Sequence, residues 1–219
     1  VPFPWGSPLS GVKDEADIGW YSRSIEVPKS WNPNRVFLVI GASDWHSTVW
    51  LDDVKIGEHK GGYTPFSFDL TQHVRFGESQ RLVVRVDDTP HPFKLEGKQG
   101  YGRAAGIWQT VYLESRPEVA LDTVHFTPNI DDQVVRVDVT LDQAAPSEMK
   151  FELHFKPSDR TKPIVGKTID RGVKSASFSI PLEDVRLWSL DDPYLYEVQA
   201  VLTCDSKSDR ISTYFGMRK

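Results

Sequence analysis

Hydrophobic and polar positions alternate along most of this chain with a period of two, and no stretch sustains the 3.6-residue period of an amphipathic helix. The clearest run lies between Ala42 and Leu70. Thr48-Val49-Trp50-Leu51 has the β-branched, aromatic and aliphatic residues that suit a pleated, half-buried surface. Asp52-Asp53 then closes a two-residue hairpin, and Val54-Lys55-Ile56-Gly57 returns as the partner strand. Gly61-Gly62 supplies a corner and Pro65 the next bend, after which Phe66, Phe68 and Leu70 fall on one face with Ser67 and Asp69 on the other. The pattern predicts three antiparallel strands, with the polar-aromatic cluster Asp44-Trp45-His46 placed just ahead of them.

The same reading extends outward. Residues 1–20 are rich in Pro, Gly and Ser and form an irregular entry. Strands are expected at Trp20–Val27, at the apolar run Val36–Ile40 (covered on both faces), at Arg81–Asp87 and at Ile107–Leu113. Asp88 to Gly106 breaks the pattern with two Pro and four Gly, a loop long enough to suggest function. Arg116-Pro117 marks a change of domain, giving expected domains at 1–116 and 117–219. The second half carries strands at Val119–Phe126, Val134–Leu141, Met149–Phe155, Ala176–Ile180, Tyr194–Leu202 and Ile211–Phe215. Val135, Val137, Val139 and Leu141 share a face that Val134 does not, so that strand is buried on one side. The expected fold is all-β: a sandwich or jelly roll, then an immunoglobulin-like β-sandwich without the Cys-Trp-Cys core of antibody domains.

Composition narrows the function classes. Net charge is −5 with both signs interspersed, so there is no basic footprint for nucleic acid or an anionic membrane. No apolar run approaches the roughly 20 residues of a membrane-spanning helix. Cys204 is the single cysteine, which excludes an internal disulfide and a Cys-based zinc site and leaves the compartment open, cytoplasmic or exported. The chain begins Val1-Pro2-Phe3 and stops directly after a strand-like run, the expectation for a fragment of a longer protein. The six His never recur at helical metal-site spacing, G-x-S-x-G is missing, and the glycines between Gly97 and Gly102 do not open a helix. No self-contained active site and no cofactor is implied. Recognition remains: carbohydrates are bound by aromatic faces plus fixed polar groups. Trp5, Trp20, Trp31, Trp50, Trp108 and Trp188 sit in or beside strands and are expected in the core, whereas Trp45 is flanked by Asp44 and His46.

These residues carry a specific likeness. Trp20-Tyr21 before a strand ending Val27-Pro28, then Val49-Trp50-Leu51-Asp52-Asp53 followed by Gly57 and Gly61-Gly62-Tyr63-Thr64-Pro65-Phe66, then Gly106-Ile107-Trp108-Gln109, resembles the amino-terminal sugar-binding jelly roll of glycoside hydrolase family 2. That domain has the galactose-binding-like architecture, in a family that includes β-galactosidases and β-glucuronidases. Leu187-Trp188-Ser189-Leu190-Asp191-Asp192-Pro193-Tyr194 and the closing Phe215-Gly216-Met217-Arg218-Lys219 resemble the end of that family's immunoglobulin-like domain.

The resemblance implies a catalytic (β/α)₈ barrel following Lys219, with this chain as two accessory domains that bind a β-galactoside or β-glucuronide but do not cleave it. It also implies that the first domain lends loops to the barrel's pocket. Asp44 occupies one such position, with Trp45 and His46 beside it, and Lys98, Gln99, Tyr101 and Arg103 lie in the second. Gly100 stands where some members carry an Asp, and Asp52-Asp53 replaces the usual Asn-Gly turn. Assembly as a homo-oligomer is compatible with the family. A free-standing lectin-like module and a scaffolding pair of β domains are the other readings.

Overall fold

The computed structural model describes residues 1–13, 16–90, 104–155, 165–205 and 207–218. It divides into two compact units, Val1–Arg116 and Pro117–Lys219. Both are antiparallel β-sandwiches.

The first unit contains β1 (Ile18–Glu26), β2 (Arg35–Ile40), β3 (Ser43–Asp44), β4 (His46–Leu51), β5 (Val54–Lys60), β6 (Phe66–Asp69), β7 (Ser79–Asp87), β8 (Gly106–Ile107) and β9 (Val111–Arg116). One sheet has the order β1-β7-β4-β5 and faces a second of order β6-β2-β9, with β3 and β8 forming a two-residue ladder of their own. Val36, Leu38 and Ile40 from β2 meet Val49, Val84 and Val86 from the opposite sheet in a core sealed from water. This is the jelly-roll arrangement. The second face of β2 is covered as well: Val39 is buried, and Phe37 is roofed by the guanidiniums of Arg35 and Arg116, 5.2 and 4.6 Å from its ring centroid.

Asp52 and Asp53 form the β4–β5 turn, Asp52 with φ of 52°. The carboxylate here does work an amide could not do as well. It accepts from the Arg81 N–H at 2.8 Å, from Gln80 Nε2 at 3.0 Å and from Arg75 at 3.0 Å, tying the hairpin tip to the start of β7. Those bonds, the Arg81 backbone N–H foremost, pull its pKa down.

Two tryptophan and strand expectations need correction. Of the six tryptophans expected in the core, only Trp5 and Trp31 pack against it, both partly buried, while Trp50, Trp108 and Trp188 do not; Trp20 is 63% exposed on the outer sheet face and stacks on Trp50, with centroids 5.6 Å apart. It lies opposite Arg85 in the β1–β7 register, so strand alternation turns it out while Tyr21 turns in. Ile107–Leu113 is not one strand either. The chain pairs as β8, leaves the sheet at Trp108–Thr110 and re-enters as β9.

The second unit contains β10 (Leu121–Asn129), β11 (Val134–Leu141), β12 (Met149–Phe155), β13 (Val165–Ile169), β14 (Ser175–Pro181), β15 (Tyr196–Cys204) and β16 (Lys207–Phe215). Sheets of order β10-β11-β14 and β13-β12-β15-β16 close over Val135, Val137, Val139, Phe151, Leu153 and Ala200. Strand β13 goes unpredicted because Val165-Gly166-Lys167-Thr168-Ile169 has only two apolar ends and is an edge strand on β12. An aromatic column runs through this unit: Phe215 stacks on Phe126 at 4.9 Å and on Tyr196 at 5.0 Å, with Phe155 edge-on at 5.9 Å.

Replacing Phe215 by Ala should lower unfolding stability of the second unit by about 3–5 kcal/mol, measured by denaturant titration, because the ring fills the centre of that column. Asp87 supplies a pH-dependent prediction. Hydrogen bonds from Thr89, with the Arg85 ion pair, hold its carboxyl at about 2, below the ordinary carboxylate value. A depressed folded pKa stabilises the fold above the unfolded pKa, and that stabilisation is lost as pH falls through the folded value. The stability difference between wild type and Asp87→Asn should therefore be constant above about pH 5, fall as the pH drops towards the folded value of about 2, and be gone by about pH 1.

Candidate functional site

The cluster Asp44-Trp45-His46 is not a free loop. Ser43 and Asp44 pair with Ile107 and Gly106, so Asp44 is a strand residue, only 8% exposed. Its partner strand can approach because Gly106 has no side chain. At φ of +88° its Cβ would stand 2.2 Å from the Trp5 ring and 2.3 Å from the Tyr21 hydroxyl. That hydroxyl accepts from the Ile107 N–H at 3.1 Å, and burial pushes its pKa up. Beneath β3, Ser47 donates to Ser43 through a buried 2.9 Å hydroxyl pair.

From the other side the Gly61-Gly62 corner closes on Asp44. The Gly61 N–H donates to the Trp45 carbonyl at 3.1 Å. A Cβ on Gly62 would lie 2.9 Å from the Asp44 carboxyl carbon, so the carboxylate rests directly against the Gly62 backbone. The Gly62 carbonyl in turn accepts from the Trp108 indole N–H at 2.9 Å. Tyr63, 63% exposed, stands edge-on to Trp108 with centroids 6.3 Å apart. The Asp44–Trp45 peptide bond is cis.

The structure thus brings Asp44 and Trp45 together with Gly61, Gly62, Tyr63 and Trp108. His46 is aimed elsewhere: its Nε2 lies 3.7 Å from Glu58, which also pairs with Lys55 at 2.9 Å. Lys98, Gln99, Tyr101 and Arg103 lie outside the described residues. Trp108 and Tyr63 were not foreseen at the site. The signal for Trp108 was the glycine two residues before it, which marks a strand break, and the signal for Tyr63 was its place directly after a double glycine. A carboxylate bordered by half-buried and exposed aromatic rings can accept hydroxyl hydrogen bonds while the rings cover C–H faces, the chemistry of a sugar rim. A second opening, a cleft of about 520 Å³ between β1 and β9, is lined by core residues such as Leu38, Val84 and Val111 and by none of Asp44, Gly62 or Trp108.

Comparison with known proteins decides the family. Residues 1–117 match the model described as glycosyl hydrolases family 2, sugar binding domain, and residues 119–218 match a second model described as glycosyl hydrolases family 2. The chain belongs to glycoside hydrolase family 2. Similar curated family 2 proteins include a β-glucuronidase of Paenibacillus borealis, 25% identical over 88% of this chain and 34% of its own length. A β-galactosidase of Thermoanaerobacter pseudethanolicus is 24% identical over 89% of this chain and 27% of its own. Among solved structures, a family 2 β-galacturonidase from Eisenbergiella tayi bound to galacturonate superposes with a TM-score of 0.78 at 23% identity, covering 100% of this chain and 39% of that one. A β-galactosidase-type structure from Bacteroides fragilis gives 0.77 at 22% identity over 99% and 34%. The chain therefore spans about a third of the length of the relatives it matches.

Gly106→Ala should displace Trp5 or Tyr21, separate β8 from β3 and cost about 1–3 kcal/mol of stability in the first unit. Intrinsic tryptophan fluorescence against denaturant checks it, and the second unit's transition should stay in place.

Proposed function

We propose that this chain is the non-catalytic amino-terminal part of a retaining β-glycosidase acting on a β-galactoside or β-glucuronide. Its first unit lends the Asp44–Trp45 corner to the sugar pocket of a carboxy-terminal (β/α)₈ barrel. The observation that carries the reading is the mounting of Asp44: a carboxylate held between a two-residue ladder and a side-chain-free corner, with Trp108 and Tyr63 alongside. The glucuronidase and galactosidase names of the relatives support the substrate class. The domain boundary of this reading falls between Arg116 and Pro117.

In such an enzyme hydrolysis belongs to two carboxyl groups about 5–5.5 Å apart on the barrel. The residues of this chain bind and orient. Asp44 accepts from sugar hydroxyls, and a charge-assisted bond that strengthens as the ring flattens towards the transition state accelerates cleavage without touching the scissile bond. Trp45 borders the same pocket in this reading, and Gln99, Tyr101 and Arg103 complete it from the β7–β8 connection; His46 contributes through its Glu58 contact rather than directly. The aromatic–carboxylate grouping also favours a second reading, a free-standing carbohydrate-binding module.

Tested alone, the chain should not hydrolyse chromogenic β-galactosides or β-glucuronides. In the longer protein carrying the barrel, Asp44→Asn should lower kcat/KM about 10- to 100-fold, the equivalent of one charge-assisted hydrogen bond of about 1.5–3 kcal/mol. Unchanged kinetics in that variant would overturn the pocket-lending role. Calorimetric binding of galactose or glucuronate by the chain alone, tighter than about millimolar, would favour the second reading.

A further inference from the structure

Among the described residues His59 is the histidine that lies under the site, and nothing in the reading so far uses it. It sits near the end of β5, opposite Ser47, with its ring turned between the sheets. The imidazole lies flat on Phe66, with centroids 3.9 Å apart and planes 13° from parallel, and Phe66 is itself held edge-on by Phe68 at 5.7 Å. Its Nε2 is buried and makes no hydrogen bond. Directly above that nitrogen is Gly61, where a Cβ would stand 3.2 Å away and where φ is +142°. The ring is therefore the floor of the Gly61-Gly62 corner, whose roof and walls are the Trp45 carbonyl, the Asp44 carboxylate and the Trp108 indole.

A buried nitrogen without a partner is destabilising, because it has given up its bond to water and gained none in exchange. An apolar ring of the same outline would avoid this, so what this position needs is the shape of a flat ring and not its nitrogens. What the imidazole supplies is thickness: a flat five-membered ring on Phe66 that sets the height of Gly61, and through Gly61 the position of Gly62 against Asp44. Burial pushes its pKa down, which keeps it in the neutral, stackable form.

We propose that His59 is a positioning residue for Asp44, acting through the Gly61-Gly62 corner that its ring supports. The proposal deepens the reading of Asp44 as a sugar-rim carboxylate and rests on it, so its test has one arm that needs no sugar.

In the isolated chain, exchange of the Trp108 indole proton and the Gly61 amide proton, both bonded at the corner, is followed by NMR. His59→Ala should speed both by about 10-fold or more relative to wild type, while amides of β7 and β11 keep their rates. His59→Phe, which keeps a stacking ring on Phe66, should restore most of the protection. In the longer protein, His59→Ala should lower kcat and kcat/KM together by about 5- to 10-fold, and His59→Phe should recover both. Wild-type exchange at Trp108 and Gly61 in His59→Ala overturns the proposal, as does acceleration spread evenly over the first unit, which marks general destabilisation. If Asp44→Asn leaves kinetics intact while the exchange arm behaves as expected, the rim reading fails and the positioning of the corner by His59 stands.

Discussion

Everything distinctive in the first unit depends on how closely Gly106 can approach Trp5 and Tyr21. β8 lies across β3 with its backbone at positive φ and ring carbons where a side chain would be. That two-residue ladder is too short to be stable for its hydrogen bonds alone, since net gains of about 1 kcal/mol per bond barely offset chain ordering. It persists because both of its strands are flanked directly by buried neighbours, Ala42 before β3 and Ala105 before β8. The ladder then decides where a carboxylate, an indole and a double glycine meet.

Two kinds of packing divide the labour. In the cores, valines and leucines from facing sheets exclude water and hold the sandwiches together without addressing any ligand. At the Asp44 corner the contacts are few, polar and directional: a backbone N–H on a carbonyl, an indole N–H on another, a carboxylate against a bare Cα. The first kind tolerates substitution of similar volume; the second fails when one atom moves.

Much of the fold was legible in period-two alternation. Val134–Leu141 and Met149–Phe155 read directly as strands because their apolar residues fall every second position. Edge strand Val165–Ile169 was not legible, since an edge buries little and Gly166, Lys167 and Thr168 carry no apolar signal. Trp20 was misplaced because composition cannot tell which face of an edge strand looks outward; register on Arg85 decides that. At the site, Asp44 stood out as part of a polar-aromatic cluster ahead of a strand and was singled out by the family resemblance, not by its local pattern. Trp108, 64 residues later, and His59, beneath a corner that looked purely structural, were invisible because their roles exist only across the sandwich, in contacts no local pattern encodes.

The register of β2 on β9 joins Arg35 to Arg116 and Ile40 to Val111, so the first unit closes only when its two ends meet. Contacts so distant in sequence form late, after the entropy of a long loop has been overcome. The corner draws on residues 44, 62 and 108 and so comes into being in the same final step. A nascent or nicked chain can hold each hairpin and still lack the assembled corner, so an intact corner reports that the first unit has finished folding.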